Sequence, residues 1–216
     1  MIQIIPSILT DDIGEARELL VRCEQVVDRV SIDIIDGKFA DNKTIEPGAL
    51  GVVESDLKFD YQLMTVEPLK WVETCIASQA DRIIGHVERM TDQKEFTDRV
   101  KESGLSAGLG FDLKTPLGRL NASTLYDLDV VLLMSVPAGF GGQEFRMEVI
   151  DKIRKLDKLR LEKRATFKIH VDGGVTSDNI SKVSKAGADE VSVGRGLFKG
   201  DLKENLERLS KAVKGN

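Results

Sequence analysis

The sequence predicts an α/β fold in which eight parallel strands close into a single (β/α)8 TIM barrel. Short apolar runs alternate with amphipathic segments about eight times along the 216 residues, and glycine and proline stand at the joints. The strands are predicted at Gln3–Pro6, Val30–Ile35, Phe59–Met64, Arg82–His86, Ala107–Phe111, Val130–Ser135, Thr166–Val171 and Glu190–Val193.

Helices are predicted where apolar residues recur at helical spacing between the strands. Asp201, with Glu204 three residues later, marks the beginning of the last helix. No linker, repeat or low-complexity segment interrupts the pattern, so residues 1–216 are predicted to form one domain. A doubly wound open sheet is the alternative fold, although the glycine spacing gives no dinucleotide fingerprint. The apolar stripes are Ile13/Ala16/Leu20/Cys23/Val27, Val149/Ile153/Leu156 and Leu202/Leu206/Leu209/Val213.

The composition is typical of a soluble globular chain, with 41% apolar and 31% charged residues. A net charge of -5 argues against nucleic acid as a partner. Met1 is followed directly by an apolar run without a basic leader, and the longest wholly apolar run, Val130–Met134, is too short to span a bilayer. We therefore expect a cytoplasmic protein with no membrane partner. Cys23 and Cys75 stand alone on predicted helix faces, which indicates buried thiols.

The stretch from Lys168 to Ser177 brings a carboxylate and an anion site together. His170 and Asp172 share one face of the seventh predicted strand, which stops at Gly173 and Gly174 before a helix-start signal. Bare backbone N–H groups beside a carboxylate at a strand end are typical of a phosphate site next to an acid/base residue. His170 lies one layer deeper than Asp172, so we interpret it as a core histidine.

The second strand carries a further interior carboxylate. Its period of two places Ser31, Asp33 and Ile35 inside the barrel, and Asp36-Gly37 makes the turn that follows. An unpaired buried carboxylate is costly, so Asp33 needs donors, a cation or a proton. This requirement favours a functional role for Asp33.

Other strand ends supply candidate partners with less specific signals. Ser7, after the first strand, is either a ligand donor or an ordinary turn serine. Gln62 and Met64 point into the barrel from the third strand by the same period of two. After the fourth strand, His86 either lines the pocket or makes structural hydrogen bonds.

Glycine-rich loops follow the sixth and eighth strands. The loop from Met134 to Phe145 contains Gly141 and Gly142 and has the length of a lid, although a plain flexible connection gives the same pattern. The eighth strand ends at Gly194-Arg195. Loops after strands seven and eight often hold phosphate in such barrels, and Arg195 offers a bidentate charge there or is merely solvated.

These motifs together resemble the ribulose-phosphate 3-epimerase family. The match covers nearly the whole chain, and its most specific part runs from Met134 to Phe145. The shared segments are Pro6-Ser7-Ile8-Leu9, Asp33-x-x-Asp36-Gly37, Leu63-Met64, His86-Val87-Glu88, Leu133-Met134-Ser135-Val136, Gly139-Phe140-Gly141-Gly142-Gln143-x-Phe145, Val171-Asp172-Gly173-Gly174 and Ala186-Gly187-Ala188-Asp189.

The resemblance implies inversion of the carbon next to a ketose carbonyl, by two aspartates and through an enediolate. Asp33 and Asp172 match the acid/base pair, and Ser7 matches a residue that touches the sugar. The positions implied to hold the phosphate of a phosphorylated ketose are Gly141, Gly142, Gly173, Gly174 and Gly194. Oligomers are common among such barrels, so a homo-oligomer is left open.

The chain departs from the family where the resemblance implies two metal-ligand histidines. Ser31 and Gln62 occupy those positions, and either side chain can donate a hydrogen bond to an enediolate oxygen. The remaining oxygen ligands suit zinc or iron poorly, so no tightly bound transition metal is expected. A weak Mg2+ or Mn2+ site at Asp33 and Asp172 stays open. Further departures are Pro137-Ala138 in the lid and Arg195 after the last strand.

Three functions are compatible with this pattern. The first is an isomerase that acts on a phosphorylated ketose without a tightly held metal. The second is another sugar-phosphate reaction, such as decarboxylation or aldol cleavage, for which no lysine stands at an interior strand end. The third is a non-catalytic phosphosugar-binding barrel, which the missing histidines favour.

Overall fold

Eight parallel strands form a closed barrel in sequential order in the computed structural model, which describes residues 2–51, 53 and 55–214. Each strand pairs with its neighbours in sequence, and β8 pairs with β1 to close the sheet. The predicted fold class is therefore confirmed, and the open-sheet alternative is wrong. The strands are β1 (Gln3–Ile8), β2 (Arg29–Ile35), β3 (Lys58–Met64), β4 (Ala80–His86), β5 (Ser106–Phe111), β6 (Val130–Met134), β7 (Lys168–Asp172) and β8 (Glu190–Val193).

The helices cover the outside of this barrel, but the expectation of eight strand-helix units is wrong at two places. Among the described residues, β2 and β5 are followed by 3-10 turns at Pro47–Leu50 and Leu117–Arg119 rather than by an α-helix. Proline and glycine in both segments disfavour a continuous α-helix. The helices are α1 (Ile13–Cys23), α2 (Val72–Ala77), α3 (Gln93–Glu102), α4 (Val149–Lys163), α5 (Ile180–Lys185) and α6 (Leu202–Lys214); two more 3-10 turns lie at Pro68–Trp71 and Val87–Arg89.

β1, β6 and β7 end one or two residues away from the predicted positions, and β2, β3, β4, β5 and β7 begin one or two residues away from them. β1 continues to Ile8, so Ser7 lies within the strand and not in a turn after it. β6 stops at Met134, and β7 begins at Lys168 and ends on Asp172 itself. The carboxylate of Asp172 is therefore held by the last residue of a strand, where backbone pairing restricts its movement.

Helix caps define where the outer helices begin, and the apolar stripes of the helices pack against the barrel. The Asp201 side chain accepts a hydrogen bond from the backbone N–H of Glu204 at 2.8 Å, which confirms the predicted beginning of α6. The buried residues of α1 fall on its predicted stripe, and those of α4 are its predicted stripe together with Ile150. Cys23 and Cys75 are buried free thiols, as expected. None of the helices in the described ranges is long and apolar enough to cross a membrane.

The barrel interior holds a layer of buried charge below the strand ends. Arg82 on β4 pairs with Asp60 on β3 and, at 2.8 Å, with Glu190 on β8. His170 donates to or accepts from the Ser192 hydroxyl at 2.8 Å, and burial lowers the pKa of its imidazole to about 3, against the opposing effect of Glu190. The sequence analysis identified only His170 as part of this layer. Arg29 also pairs with Asp60, and Lys168 pairs with Glu190 at 2.6 Å, so both carboxylates are compensated and the layer forms a fixed floor for the pocket above.

Replacing Arg82 by alanine is expected to destabilise the barrel strongly. The change removes the partner that the fully buried Asp60 and Glu190 share, and leaves Asp60 with Arg29 and Glu190 with Lys168 only. Breaking such a buried pair costs about 3–5 kcal/mol of unfolding free energy, measurable by urea denaturation. Arg99→Ala is the matched control because Arg99 pairs with Glu73 at the surface, where the loss stays within about 1 kcal/mol. Equal effects of the two variants would contradict the proposed role of the layer.

Candidate active site

A cavity of about 610 Å³ opens at the carboxyl ends of the strands. Loops after β1, β2, β6, β7 and β8 form its wall, which is the face where barrel enzymes carry their reactive groups. Residues that are remote in sequence thus share one pocket. The predicted site residues on the wall are Ser7, Asp33, Met64, Met134, Gly141, Gly142, Asp172, Gly173, Gly174, Gly194 and Arg195.

The carboxylates of Asp33 and Asp172 are the two buried acids of this pocket wall. Burial, and then repulsion from Asp172, hold the pKa of Asp33 well above its usual range. Burial also raises the pKa of Asp172 to about 6, although hydrogen bonds from the Gln62 amide and the Gly173 backbone N–H partly offset the rise. Like charges in one desolvated site favour a state with a single proton. Near neutral pH the two carboxyl groups are therefore expected to share a single proton.

Neighbouring hydroxyl groups fix the position of Asp33. The Ser7 hydroxyl donates a hydrogen bond to Asp33 Oδ2 at 2.9 Å, so Ser7 contacts the predicted acid/base residue directly. The Thr44 hydroxyl donates to the Asp33 carbonyl at 2.7 Å and accepts from the Ile35 backbone N–H at 2.9 Å. Asp33 Oδ1 is buried and has no partner among the described residues. A proton bound to Asp33 would therefore reside on Oδ1.

Close backbone packing explains the glycines after β7. Gly173 has a φ of +109° and Gly174 a φ of +61°, a region that side chains disfavour. A Cβ atom on Gly174 would also lie 2.5 Å from the backbone nitrogen of Phe145, and one on Gly173 would lie 2.5 Å from Val136. The absence of side chains thus brings the loop after β6 against the loop after β7. The backbone of Gly173 and Gly174 therefore lines the pocket without side chains, and we call this part of the wall the bare-backbone cradle.

Arg195 adds positive charge beside this cradle. Its guanidinium Nη2 lies 3.0 Å from where a Cβ atom of Gly141 would be, so the exposed arginine lies along the glycine-rich loop. The pocket wall therefore combines an arginine with backbone at Gly141, Gly142, Gly173 and Gly174. Such an arrangement suits a phosphate group.

The loop after β6 is anchored on both sides of the pocket. Ser135 donates its backbone N–H and its hydroxyl to the Asp172 carbonyl at 2.7 and 2.8 Å. At the tip, the Asn42 side chain donates to the Gly139 carbonyl at 2.8 Å, and half-exposed Phe140 lies on the pocket wall. These contacts put the loop over the cavity. Its hinge motion stays a prediction.

Three predicted site residues lie beneath the pocket wall instead of on it. Ser31, Gln62 and His86 are fully buried in the layer between the pocket and the charged floor. The Gln62 Nε2 atom lies 3.2 Å from His86 Nε2 and 3.3 Å from Met134 Sδ. The amide nitrogen expected to donate to a ligand is thus already engaged, and the buried Gln62 Oε1 has no partner among the described residues.

Sequence reasoning missed part of the wall. Thr44, which supports Asp33, and Asn42, which contacts the loop after β6, lie in the long segment after β2 and carry no motif of their own. Their contacts join segments far apart in the chain, so no spacing rule could have found them. Further wall residues outside the prediction are Thr10, Glu15, Lys43, Thr176 and Phe198.

The fold and pocket define a barrel protein of the type that places its reactive groups at the carboxyl ends of the strands. A sequence profile of the ribulose-phosphate 3-epimerase family matches residues 3–198, and the chain belongs to this family. The ribulose-phosphate 3-epimerase of Chlamydia muridarum is 33% identical over 213 residues, covering 95% of this chain and 92% of that protein. The Escherichia coli enzyme of that name is 33% identical over 211 residues, covering 95% and 93%. The chain is accordingly an isomerase of the epimerase type.

Solved structures agree on the fold. The 3-keto-L-gulonate-6-phosphate decarboxylase from Vibrio cholerae superposes with a TM-score of 0.72 over 99% of this chain and 97% of its own, at 13% identity. Identity this low establishes a shared barrel and nothing about the reaction.

Replacing Asp172 by asparagine is expected to stabilise the fold at neutral pH. Because its pKa is raised to about 6, the ionised carboxylate opposes folding above that pH, and the penalty vanishes below the unfolded pKa of about 4. Asp172→Asn should therefore raise Tm at pH 7.5 by a few degrees, at about 2–4 °C per kcal/mol, with little change at pH 4. Calorimetry measures both.

Asp36→Asn is the matched control of opposite sign. Asp36 has a lowered pKa because backbone N–H groups of Val66, Phe39 and Lys38 outweigh its partial burial. Its stabilising charge is present at neutral pH and lost on acidification, so this variant should lower Tm at pH 7.5. A lower Tm for Asp172→Asn at pH 7.5 would show that the buried charge is better solvated than the geometry indicates.

Proposed function

We propose that this protein epimerises a phosphorylated ketose at the carbon next to the carbonyl, with ribulose 5-phosphate as the first candidate substrate. One observation carries the proposal: two buried acids with raised pKa values, Asp33 and Asp172, share a pocket with a bare-backbone cradle and Arg195. Inversion requires a base and an acid that act on opposite faces of one carbon. β2 and β7 hold these two groups on different sides of the barrel mouth.

The proton steps balance between the two aspartates. The Asp172 carboxylate takes the proton from the carbon, the C–H electron pair forms the enediolate double bond, and the carbonyl oxygen takes up the negative charge. Asp33 then gives its proton to the opposite face of the same carbon, and the carbonyl re-forms. Asp172 ends protonated and Asp33 ionised, so exchange with water or the reverse reaction restores the starting state.

The chemistry of the available donors supports a reaction without a tightly held transition metal. The unpartnered atoms Asp33 Oδ1, Gln62 Oε1 and Ser31 Oγ are oxygens, whereas zinc and ferrous iron are usually held by imidazole or thiolate. The carboxylate oxygens of Asp33 and Asp172 fit a hard cation such as Mg2+ or Mn2+. When bound, such a cation would offset negative charge on the enediolate. The weak cation site at Asp33 and Asp172 therefore stays a prediction.

A lyase gains little support from the pocket. Lys43 lies on the wall, but its side chain is 64% exposed and pairs with Glu46 at 3.4 Å. A lysine that forms a Schiff base usually needs burial to lower its pKa. The non-catalytic binder is kept as an outcome of the experiment below, and the cytoplasmic location and a homo-oligomer stay predictions.

Proton NMR of D-ribulose 5-phosphate in D2O is expected to show exchange of the C3 proton with formation of xylulose 5-phosphate. The measurement is made with chelator and, separately, with added Mg2+, Mn2+ or Zn2+. Asp172→Asn should reduce both exchange and xylulose 5-phosphate formation at least a hundredfold, because it removes the base. Asp33→Asn should reduce xylulose 5-phosphate formation as strongly, whereas exchange through Asp172 can continue. Exchange in chelator at the full rate would establish a metal-independent reaction.

Other results have distinct meanings. Rescue by Mg2+ or Mn2+ alone would establish the oxygen-ligand cation site, and stoichiometric zinc in the purified protein would contradict the donor argument. Absence of exchange in all conditions, with a thermal shift on adding the sugar phosphate, would favour the binder.

Arg195→Gln should raise KM with a smaller effect on kcat, because it acts on phosphate binding.

The pH dependence of kcat/KM is expected to be bell-shaped. Activity should fall below about pH 6, where Asp172 takes up a proton and ceases to be a base, and again at alkaline pH, where Asp33 loses the proton it must give. The substrate phosphate also titrates near pH 6. Binding of a phosphorylated alditol, which has no acidic carbon, therefore serves as control. If binding of the alditol weakens over the same acidic pH range in which kcat/KM falls, the fall is caused by protonation of the substrate phosphate and not of Asp172.

A further inference from the structure

A directional hydrogen-bond chain joins Glu88, His86 and Gln62. Glu88, in the 3-10 turn after β4, places its Oε2 atom 3.2 Å from His86 Nδ1, and His86 Nε2 lies 3.2 Å from Gln62 Nε2. His86 is fully buried, as is Gln62. The role proposed for Gln62 thus depends on which of its amide atoms faces the histidine.

Glu88 and Gln62 together fix the direction of this chain. Glu88 Oε1 accepts a hydrogen bond from the Asp112 backbone N–H at 2.9 Å, and Glu88 Oε2 is the acceptor that faces His86 Nδ1. On the other side of the ring, the Gln62 Nε2 atom, which can only donate, faces His86 Nε2 at 3.2 Å. His86 Nε2 is therefore the acceptor of this pair, and the ring carries its proton on Nδ1.

Surrounding groups hold the imidazole in place. A Cβ atom on Gly110 would come within 2.8 Å of the ring, so β5 leaves space there only because it carries glycine. Phe39 packs edge-on against the ring, with the ring centres 5.4 Å apart. Between these two contacts the imidazole has little freedom to turn.

Orientation of the amide leaves a specific atom available. Asp33 and Gln62 are register partners on β2 and β3, and both point into the barrel. With the nitrogen turned to His86, the Gln62 carbonyl oxygen is the atom without a partner. Buried acceptors without a partner are rare in folded proteins, and such an oxygen calls for a donor from a ligand.

We propose that Glu88 and His86 are positioning residues that lock the Gln62 amide, so that its carbonyl oxygen accepts a hydrogen bond from a hydroxyl group of the bound sugar phosphate. The inference rests on the proposed function. It replaces the donor role predicted for Gln62 with an acceptor role, and it favours substrates with a hydroxyl group on the reacting carbon. Neither Glu88 nor His86 needs to touch the substrate.

Histidine 15N NMR tests the chain without turnover. The protein has two histidines, so a 15N-histidine sample gives two ring spin systems, and His86→Gln assigns them by loss of one. We expect His86 to be the neutral Nδ1–H tautomer, and Glu88→Gln to increase the Nε2–H form. Glu73→Gln makes the same chemical change at an exposed carboxylate and should leave both rings unchanged. An Nε2–H tautomer or an imidazolium in the wild type would overturn the proposal.

A double-mutant cycle tests whether His86 acts through Gln62. His86→Gln and Gln62→Leu should each lower kcat about 10–100-fold, with smaller changes in KM, as loss of supporting hydrogen bonds does at other sites. The double variant should be no slower than Gln62→Leu alone, whereas additive losses would overturn the positioning role. If wild-type protein shows no exchange at all, the proposed function fails. In that case the His86 tautomer, measured by 15N NMR without substrate, still shows whether the chain of hydrogen bonds exists.

Discussion

Two like charges buried in one pocket are the constraint on which the site depends. Asp33 and Asp172 cannot both ionise cheaply, because burial and mutual repulsion raise both pKa values. The closed barrel imposes this cost: β2 and β7 hold the two residues at fixed positions, and backbone pairing prevents their separation. A single shared proton resolves the conflict, and it also creates the acid and the base that an inversion needs. The instability of the site and its proposed chemistry thus have one origin.

The charged layer at the floor of the pocket differs from the site, because its buried charges of opposite sign are paired. Arg82 lies between Asp60 and Glu190, and neutral His170 closes the layer against Ser192. Each buried charge there has a partner of opposite sign, although Arg82 Nε and Glu190 Oε2 have no hydrogen-bond partner among the described residues. In the site above, two acids repel each other, and Asp33 Oδ1 and Gln62 Oε1 also lack hydrogen-bond partners among the described residues. The two layers therefore differ in whether opposite charges compensate the buried carboxylates.

The layer between the aspartate pair and the charged floor shows how a departure from the family pattern can be accommodated. Ser31 and Gln62 stand where the family resemblance implies histidines, and they keep oxygen atoms facing an interior that a ligand could share. Gln62 is held by His86, and His86 by Glu88, so the replacement has its own supporting contacts. The sequence pointed to His86 as a pocket or structural residue. Its position below the wall favours the structural role, exercised through Gln62.

The period-two strands, the glycines at their ends and the cap at Asp201 could be predicted because they are local: each depends on neighbours within a few residues. That locality identified the barrel, Asp33, Asp172 and the bare-backbone loops. It failed at the segments after β2 and β5, where proline and glycine replaced α-helices by 3-10 turns. Thr44 supporting Asp33, Arg82 between two carboxylates and the orientation of Gln62 were decided only by the tertiary structure. Closure of the barrel brings these partners together across long stretches of chain, and spacing along the sequence carries no record of such contacts.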